Sequence, residues 1–300
     1  MTATGAAGTA SEAAGGRWGG RRLRLSWVGA VPFFGYVAVF LLLPTGIVVV
    51  GAFAGPAGPT LAGVSAIRQG FIVTSFVNSV LVSSASAAIG ATAGALLAQA
   101  VATGDPRGTL RRVVSSACGV LAQFGGVTLA FAFIATIGGE GFVTLWLQQH
   151  GVDIYANGVW LYKLSGLILV YSYFQIPLMV LVFLPALDGV RPQWREATES
   201  LGGTGWHYWR HVAGPLLLPS FVGAALLLFA NAFSAYATAA ALINQGGIVV
   251  PLQISNSLTS EVGLEQSDLA KALALGMVVI VALVMLLYAL LQRRTARWLR

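Results

Sequence analysis

The chain has 300 residues, of which 57% are hydrophobic and only 9% charged, with a mean hydropathy of +0.80. That is too little charge to cover a water-soluble protein of this length, and it fits a polytopic helical membrane protein whose surface lipid covers. The net charge of +7 would suit a nucleic-acid partner, but the placement of the basic residues, given below, assigns it to membrane orientation, and no nucleic-acid site is expected.

Residues 1–25, rich in Ala, Gly, Thr and Ser, are expected to form a disordered cytoplasmic tail, and residues 26–300 one transmembrane domain. Six stretches are free of Asp, Glu, Lys and Arg: Val28–Phe53, Phe71–Ala102, Val113–Gly139, Leu164–Leu187, Val212–Ile243 and Ala272–Leu291. Each supplies the ~20 helical residues needed to cross a hydrocarbon core of ~30 Å. Arginines ahead of the first stretch and the Ala52-Phe53-Ala54 triplet mimic a cleavable signal peptide. The apolar run of 26 residues is longer than the ~7–15 of a signal peptide, so a retained helix is expected.

The second stretch carries Gly90-x-x-x-Gly94 among serines and alanines, a spacing that lets helix backbones approach in lipid. The third holds Cys118, the single cysteine, which leaves no disulfide framework and reads as a packing residue. Pro177 and Pro185 are expected to kink the fourth. After the fifth, the polar segment Asn244–Ser260 with Pro251 reads as a loop or re-entrant segment, not a seventh span.

With six spans both termini share a side. The N-terminal tail, the second-to-third connection, the fourth-to-fifth connection and the C-terminal tail together hold fourteen of the 17 basic residues; only Arg68, Lys163 and Lys271 fall opposite. Positive-inside bias places both termini and the fourth-to-fifth loop in the cytoplasm of a plasma (inner) membrane protein. Attraction of the same arginines to anionic lipid is secondary.

That loop is the most polar internal segment. Pro192 suits a helix start, and Glu196 and Glu199 are expected near the positive N-terminal end. Gly202, Gly203 and Gly205 allow a sharp reversal, and Trp206 to Arg210 form a second turn at the interface, the level Trp and Tyr prefer. The product is an L-shaped protrusion, although a connector that merely anchors two spans would account for the composition equally well. Enzymatic readings find little here. Lys163 and Lys271 are the two lysines and neither follows a glycine, so a phosphate-binding loop is absent. His207 and His211 lie four apart without a third ligand and are expected to decorate a helix rather than hold a metal.

The order Glu196-Ala197-Thr198, Leu201-Gly202, Trp206, Trp209, Val212, Pro215, Pro219 is similar to the EAA loop of binding-protein-dependent ABC importer permeases of type I. Thr198 departs from the third small residue of the triplet, and Gly214-Pro215 replaces the usual Leu-Pro. Asn78-Ser79 resembles the family's start of the transmembrane core, and the resemblance runs over about 71–291. It implies an all-α integral membrane protein with six transmembrane helices and the type I permease fold. It further implies an ATPase-coupling loop at 188–215 formed by Glu196, Ala197, Thr198, Leu201, Gly202, Trp206, Trp209 and Pro215. The implied partners are a cytoplasmic ABC ATPase dimer, a second permease, identical or related, and an extracytoplasmic solute-binding protein, besides membrane lipid. ATP and Mg would sit on the ATPase, so the chain itself is expected to bind no cofactor and to be a non-catalytic subunit.

Polar residues within the spans have two readings, a substrate path or hydrogen bonds between helices. Asn231, Ser234 and Tyr236 lead for the path, with Tyr173 and Gln175 behind. The stretch from Phe233 to Gly276 resembles permeases for polyamines, aminophosphonates, opines and ferric iron. A polyamine or aminophosphonate-like solute is therefore expected first, with sulfate, thiamine and ferric iron as alternatives. A transporter or channel driven by an ion gradient is the other class. It predicts acidic residues within the membrane or an inverted repeat, and the spans contain no acid.

Overall fold

The computed structural model describes residues 31–55, 58–59, 70–105, 107–156, 158–243, 248–259 and 264–296. The expected tail of residues 1–25 and Arg68 lie outside these. The chain divides into two compact units, residues 1–50 and 51–300.

The first unit contributes all but the last residue of α1, Val31–Gly51. It opens one π turn at Ala38–Leu42, where the Leu43 N–H reaches back five residues to the Ala38 carbonyl. Pro44 follows directly. A proline ring collides with the carbonyl four residues behind it, and a wider turn relieves that collision.

In the second unit a two-residue antiparallel ladder, β1 (Ala54–Gly55) with β2 (Gly58–Pro59), precedes the bundle. The remaining described elements are helices. The long α2 (Gly70–Ala102) packs most extensively on α6 (Leu164–Asp188), and α8 (Gly205–Ser234) closes on both. The buried line of α2 is made of small residues, among them Ser79, Ser83, Ser86, Gly90, Gly94 and Ala98. A Cβ at Gly90 would fall 2.6 Å from that of Gln175, and one at Gly94 would fall 2.5 Å from that of Met179. The glycine pair thus brings α2 against α6, as its spacing predicts.

The third expected span, Val113–Gly139, is not one helix. Helix α3 (Thr109–Gln123) stops at Phe124, whose N–H bonds the Val120 and Leu121 carbonyls. Gly126 then takes φ +70, a left-handed conformation that side chains resist, and α4 (Gly126–Ile137) leaves in a new direction. The third candidate crossing is instead Gly126–Gln149, through α4, a turn at residues 138–141 and α5 (Phe142–Gln149). At the end of α4 the Tyr155 hydroxyl donates to the Ile137 carbonyl. Burial is the first cause, and nearby Tyr162 the second, that raises the Tyr155 phenol above its ordinary pKa.

The fifth expected span, Val212–Ile243, also breaks. It ends at Ser234, Ala235 is extended, and α9 (Ala237–Leu242) packs on α4. The Tyr171 hydroxyl caps the break by donating to the Ala235 carbonyl at 2.6 Å.

Part of the segment expected as loop or re-entrant turn is helical. Helix α10 (Val250–Thr259) has 10 residues, about 15 Å of rise, too short to cross. Asn78 and Ser79 hold its start, through Nδ2 to the Ile248 carbonyl at 3.1 Å and Oγ accepting the Val250 N–H at 2.8 Å. Helix α11 (Leu264–Ala296) overruns the expected Ala272–Leu291 at both ends and packs on α8, with the Tyr288 ring against Gly223.

Candidate functional site: an elbow at the root of a membrane helix

Between α6 and α8 lies α7, Pro192–Ser200, with Pro192 in its first turn. Counted from Pro192, Glu196 is the fifth residue and Glu199 the eighth, and no acid lies in the first turn. The expected placement near the positive helix end is therefore corrected, because the dipole acts only within the first turn. Glu199 is instead balanced by the Arg195 guanidinium, Nε to Oε1 at 3.0 Å.

The helix ends in a Schellman motif. The Gly203 N–H bonds the Thr198 carbonyl at 2.9 Å and the Gly202 N–H the Glu199 carbonyl at 3.0 Å. Gly202 adopts φ +76. Thr198 sits in the inner corner, its methyl close enough to exclude a Cβ at Gly203. Thr204 opens the next helix, with Oγ1 2.8 Å and N–H 3.3 Å from His207 Nδ1.

That next helix is α8 itself. It is α-helical over Gly205–Tyr208, π-helical over Trp209–Ala213 and α-helical again over Gly214–Ser234. The π turn precedes Pro215 as the one in α1 precedes Pro44, with the Gly214 N–H reaching the Trp209 carbonyl. A Cβ at Gly214 would collide with that carbonyl oxygen, so glycine rather than leucine before Pro215 belongs with this turn. Trp209 ends half-exposed at the root of the elbow, while Leu201 (89% exposed) and Trp206 (70% exposed) stand clear of the protein. No residue of α7 is buried.

An ion pair between Arg111, in the first turn of α3, and Asp188, at the end of α6, ties the second-to-third and fourth-to-fifth connections together. Both basic connections thus lie at one end of the bundle, the elbow's end.

The polar span residues separate. Gln175 is fully buried, its amide oxygen toward Ser86 Oγ at 2.8 Å and the Ala87 N–H at 3.2 Å, its amide nitrogen donating to the Leu228 carbonyl at 3.0 Å. It joins α2, α6 and α8, which is the helix-bonding alternative. Tyr173 is on another face of α6, exposed and edge-on to Phe133. Asn231 and Ser234 are exposed on α8. Tyr236 is not mid-helix but at the α8–α9 break, its hydroxyl 2.9 Å from Ser255 Oγ. Ser255 is thus a hydrogen-bond neighbour of Tyr236, whereas the Gln175 amide is engaged between helices. His207 and His211 face each other at 6.1 Å between ring centres; among the described residues no three side chains are grouped to hold a metal.

No protein-family model matches the chain. It is 30% identical over 174 residues to the sulfate transport system permease protein CysT of Escherichia coli (strain K12), covering 57% of this chain and 58% of that one. It is 27% identical over 112 residues to the thiamine transport system permease protein ThiP of the same strain, 37% of this chain and 20% of that one. The chain thus spans less than two thirds of the curated relatives it matches. A chain of a bacterial alginate ABC transporter, crystallised in complex with an alginate pentasaccharide-bound periplasmic protein, superposes with a TM-score of 0.69 at 17% identity, over 91% of this chain and 96% of that one. The fold is that of a type I ABC importer permease.

Both sequence relatives carry the name of permease proteins of transport systems, and the six candidate crossings make this chain a multi-pass membrane protein. Two features of the permease fold escaped the sequence reading. The Arg111–Asp188 pair had a partial signal, since Asp188 closes the uncharged run Leu164–Leu187 and Arg111 stands two residues before the one that starts at Val113. Ser255 had none, because its polar segment offered no period to fix which residue faces Tyr236.

Proposed function

We propose that the chain is one membrane-spanning permease subunit of an ATP-driven importer, and that the α7 elbow is its coupling element. The observation that carries this reading is continuity: the exposed tip at Leu201 and Trp206 leads through the π turn into α8 without a break. A force applied at the tip is applied to a membrane helix.

In this reading a pair of cytoplasmic ATPases grips the two elbows of a permease pair. Closure of the ATPases on ATP swings the elbows inward and rocks the bundles open to the outside, where a binding protein releases its solute; hydrolysis resets them. Glu196, exposed on α7, offers a carboxylate to the ATPase, and Gly202 keeps the corner rigid. Both termini lie in the cytoplasm, on the elbow side.

The cargo is a small polar solute. The third crossing carries one carboxylate, Glu140, at its turn, while the Tyr236–Ser255 hydroxyl pair keeps one proton free to donate to an oxyanion without charge. Together with a sulfate permease as relative, this favours an anionic solute over the polyamine that the Phe233–Gly276 stretch suggests.

The test is ATP-driven uptake in proteoliposomes holding this chain, its ATPase and its binding protein. Glu196→Lys is expected to abolish uptake and to release the ATPase from the permease on co-purification. Undiminished uptake with the ATPase still bound would overturn the coupling role.

A further inference from the structure

An apolar cleft of ≈ 620 Å³ opens beside the root of α8. Its floor is the buried side chains of Phe183, Leu187 and Leu217, and its rim is the exposed Leu96, Leu218 and Trp209. One wall follows α2 from Gln99 to Thr92 and the other follows α8 from Gly214 to Phe221, so each covers about 10 Å of helix. The cleft therefore runs along the helix axes. Its outer end meets Trp209 and Gln99, close to the helix ends that carry Arg111 and Asp188. The inner end is capped by the Phe221 ring and by Thr92, whose hydroxyl is already engaged by the Ala88 carbonyl at 2.7 Å.

We propose that this slot is a binding site for one acyl chain of a membrane phospholipid in the leaflet on the elbow side. Its shape and direction match a chain that enters from the interface and descends along the helices. Its rim residues continue the apolar surface of α2 and α8, so it opens onto hydrocarbon, the solvent of that surface. An apolar space that faces hydrocarbon forfeits dispersion contacts if left empty, and the acyl chain is the one apolar group present there at solvent concentration. The bound chain touches the π turn through Trp209 and Gly214. The inference rests on the membrane crossings and not on the coupling role, so it survives if the ATPase reading fails.

The experiment uses the full-length protein in nanodiscs containing phosphatidylglycerol with a photoreactive diazirine in one acyl chain, and peptide mapping after irradiation. Labelling of the peptides holding Leu96 and Leu218 is expected to exceed, several-fold, that of the exposed Leu283, Leu286 and Leu287 of α11, which do not line the cleft. Thr92→Phe, which adds a ring to the inner end from an exposed position, and Ala95→Phe, as a second way to fill it, are expected to lower the cleft labelling several-fold and leave α11 unchanged. Equal labelling of cleft and α11 in the unaltered protein overturns the proposal in favour of bulk lipid only. Absence of cleft labelling, with Leu96→Cys or Leu218→Cys cross-linking between copies, overturns it in favour of a second permease covering the slot.

Discussion

Gly90 and Gly94 lie where α2 meets α6, and each faces a side chain that a Cβ would strike. Gly202 lies in the elbow with open space around it, yet its φ of +76 excludes most residues just as firmly. In the seam glycine protects a contact between helices. In the elbow it protects the direction of the chain. The two regions therefore store their stability differently: the seam by packing against buried neighbours, the elbow by local backbone geometry with no buried residue in α7. A bundle that is rigid by packing can carry a protrusion that is rigid by geometry and still leave its tip bare for a partner.

The largest effect is expected where packing is tightest. Gly94→Leu forces four heavy atoms into a space already closed by Met179 and the Ile176 carbonyl, and overpacking of this kind costs about 3 kcal/mol or more. The purified protein should lose its cooperative thermal transition in detergent, while Ser84→Leu, on the exposed face of the same helix, should melt as the unaltered chain does. A Gly94→Leu variant that melts normally would mean that α2 and α6 do not meet at this seam.

Next comes the corner. Gly202→Val places a β-branched side chain in a left-handed conformation at a cost of about 1–2 kcal/mol, confined to the end of α7 because nothing else touches it. The thermal midpoint should move little, whereas ATP-driven uptake should fall about tenfold or more, the equivalent of ~1.4 kcal/mol of lost coupling. Gly202→Asn, which tolerates this conformation, should restore most of it. A midpoint that drops as far as in Gly94→Leu would erase the distinction between the two regions.

The same contrast explains what could be read in advance. Hydropathy gave the number of crossings and the place of five, because length and the lack of charge are one-dimensional properties, but it set the third too early, at Val113–Gly139 instead of Gly126–Gln149. It missed the breaks at Gly126 and Ala235, because an apolar run does not record where its helix turns; the Gly125-Gly126 pair was the available signal. In the elbow, Gly202 was legible from residue type alone. The place of Glu196 was misjudged because Pro192 starts the helix a full turn earlier than a dipole contact requires. The π turn was announced by Gly214-Pro215, which read only as a departure from a familiar Leu-Pro. Gln175 kept two readings because a lone amide in an apolar helix has no face until Ser86 and Leu228 supply one.

Gln175 offers a smaller test of the seam. Gln175→Leu removes the amide linking three helices, and polar links inside membrane bundles contribute about 0.6–1.7 kcal/mol. The midpoint should fall modestly and uptake should follow it. Uptake lost at an unchanged midpoint would return Gln175 to the substrate path.

The smallest effect is expected from Arg111 and Asp188, which join the two regions. The pair is partly exposed, with 18% and 43% of the respective side chains accessible, and such ion pairs contribute about 0–1 kcal/mol. Arg111→Ala, Asp188→Ala and the double variant close a cycle whose coupling term should be small at about 0.1 M salt and vanish at roughly 1 M, where screening reaches about 3 Å. Thermal midpoints at both salt levels measure it. If the pair only stabilises, uptake should track the midpoint in all three variants. If it also locks the end of α6 while the elbow swings, the single variants should lose uptake beyond their loss of midpoint, and the elbow would then be braced by charge as well as by backbone geometry. That result would show that the seam and the elbow are not independent.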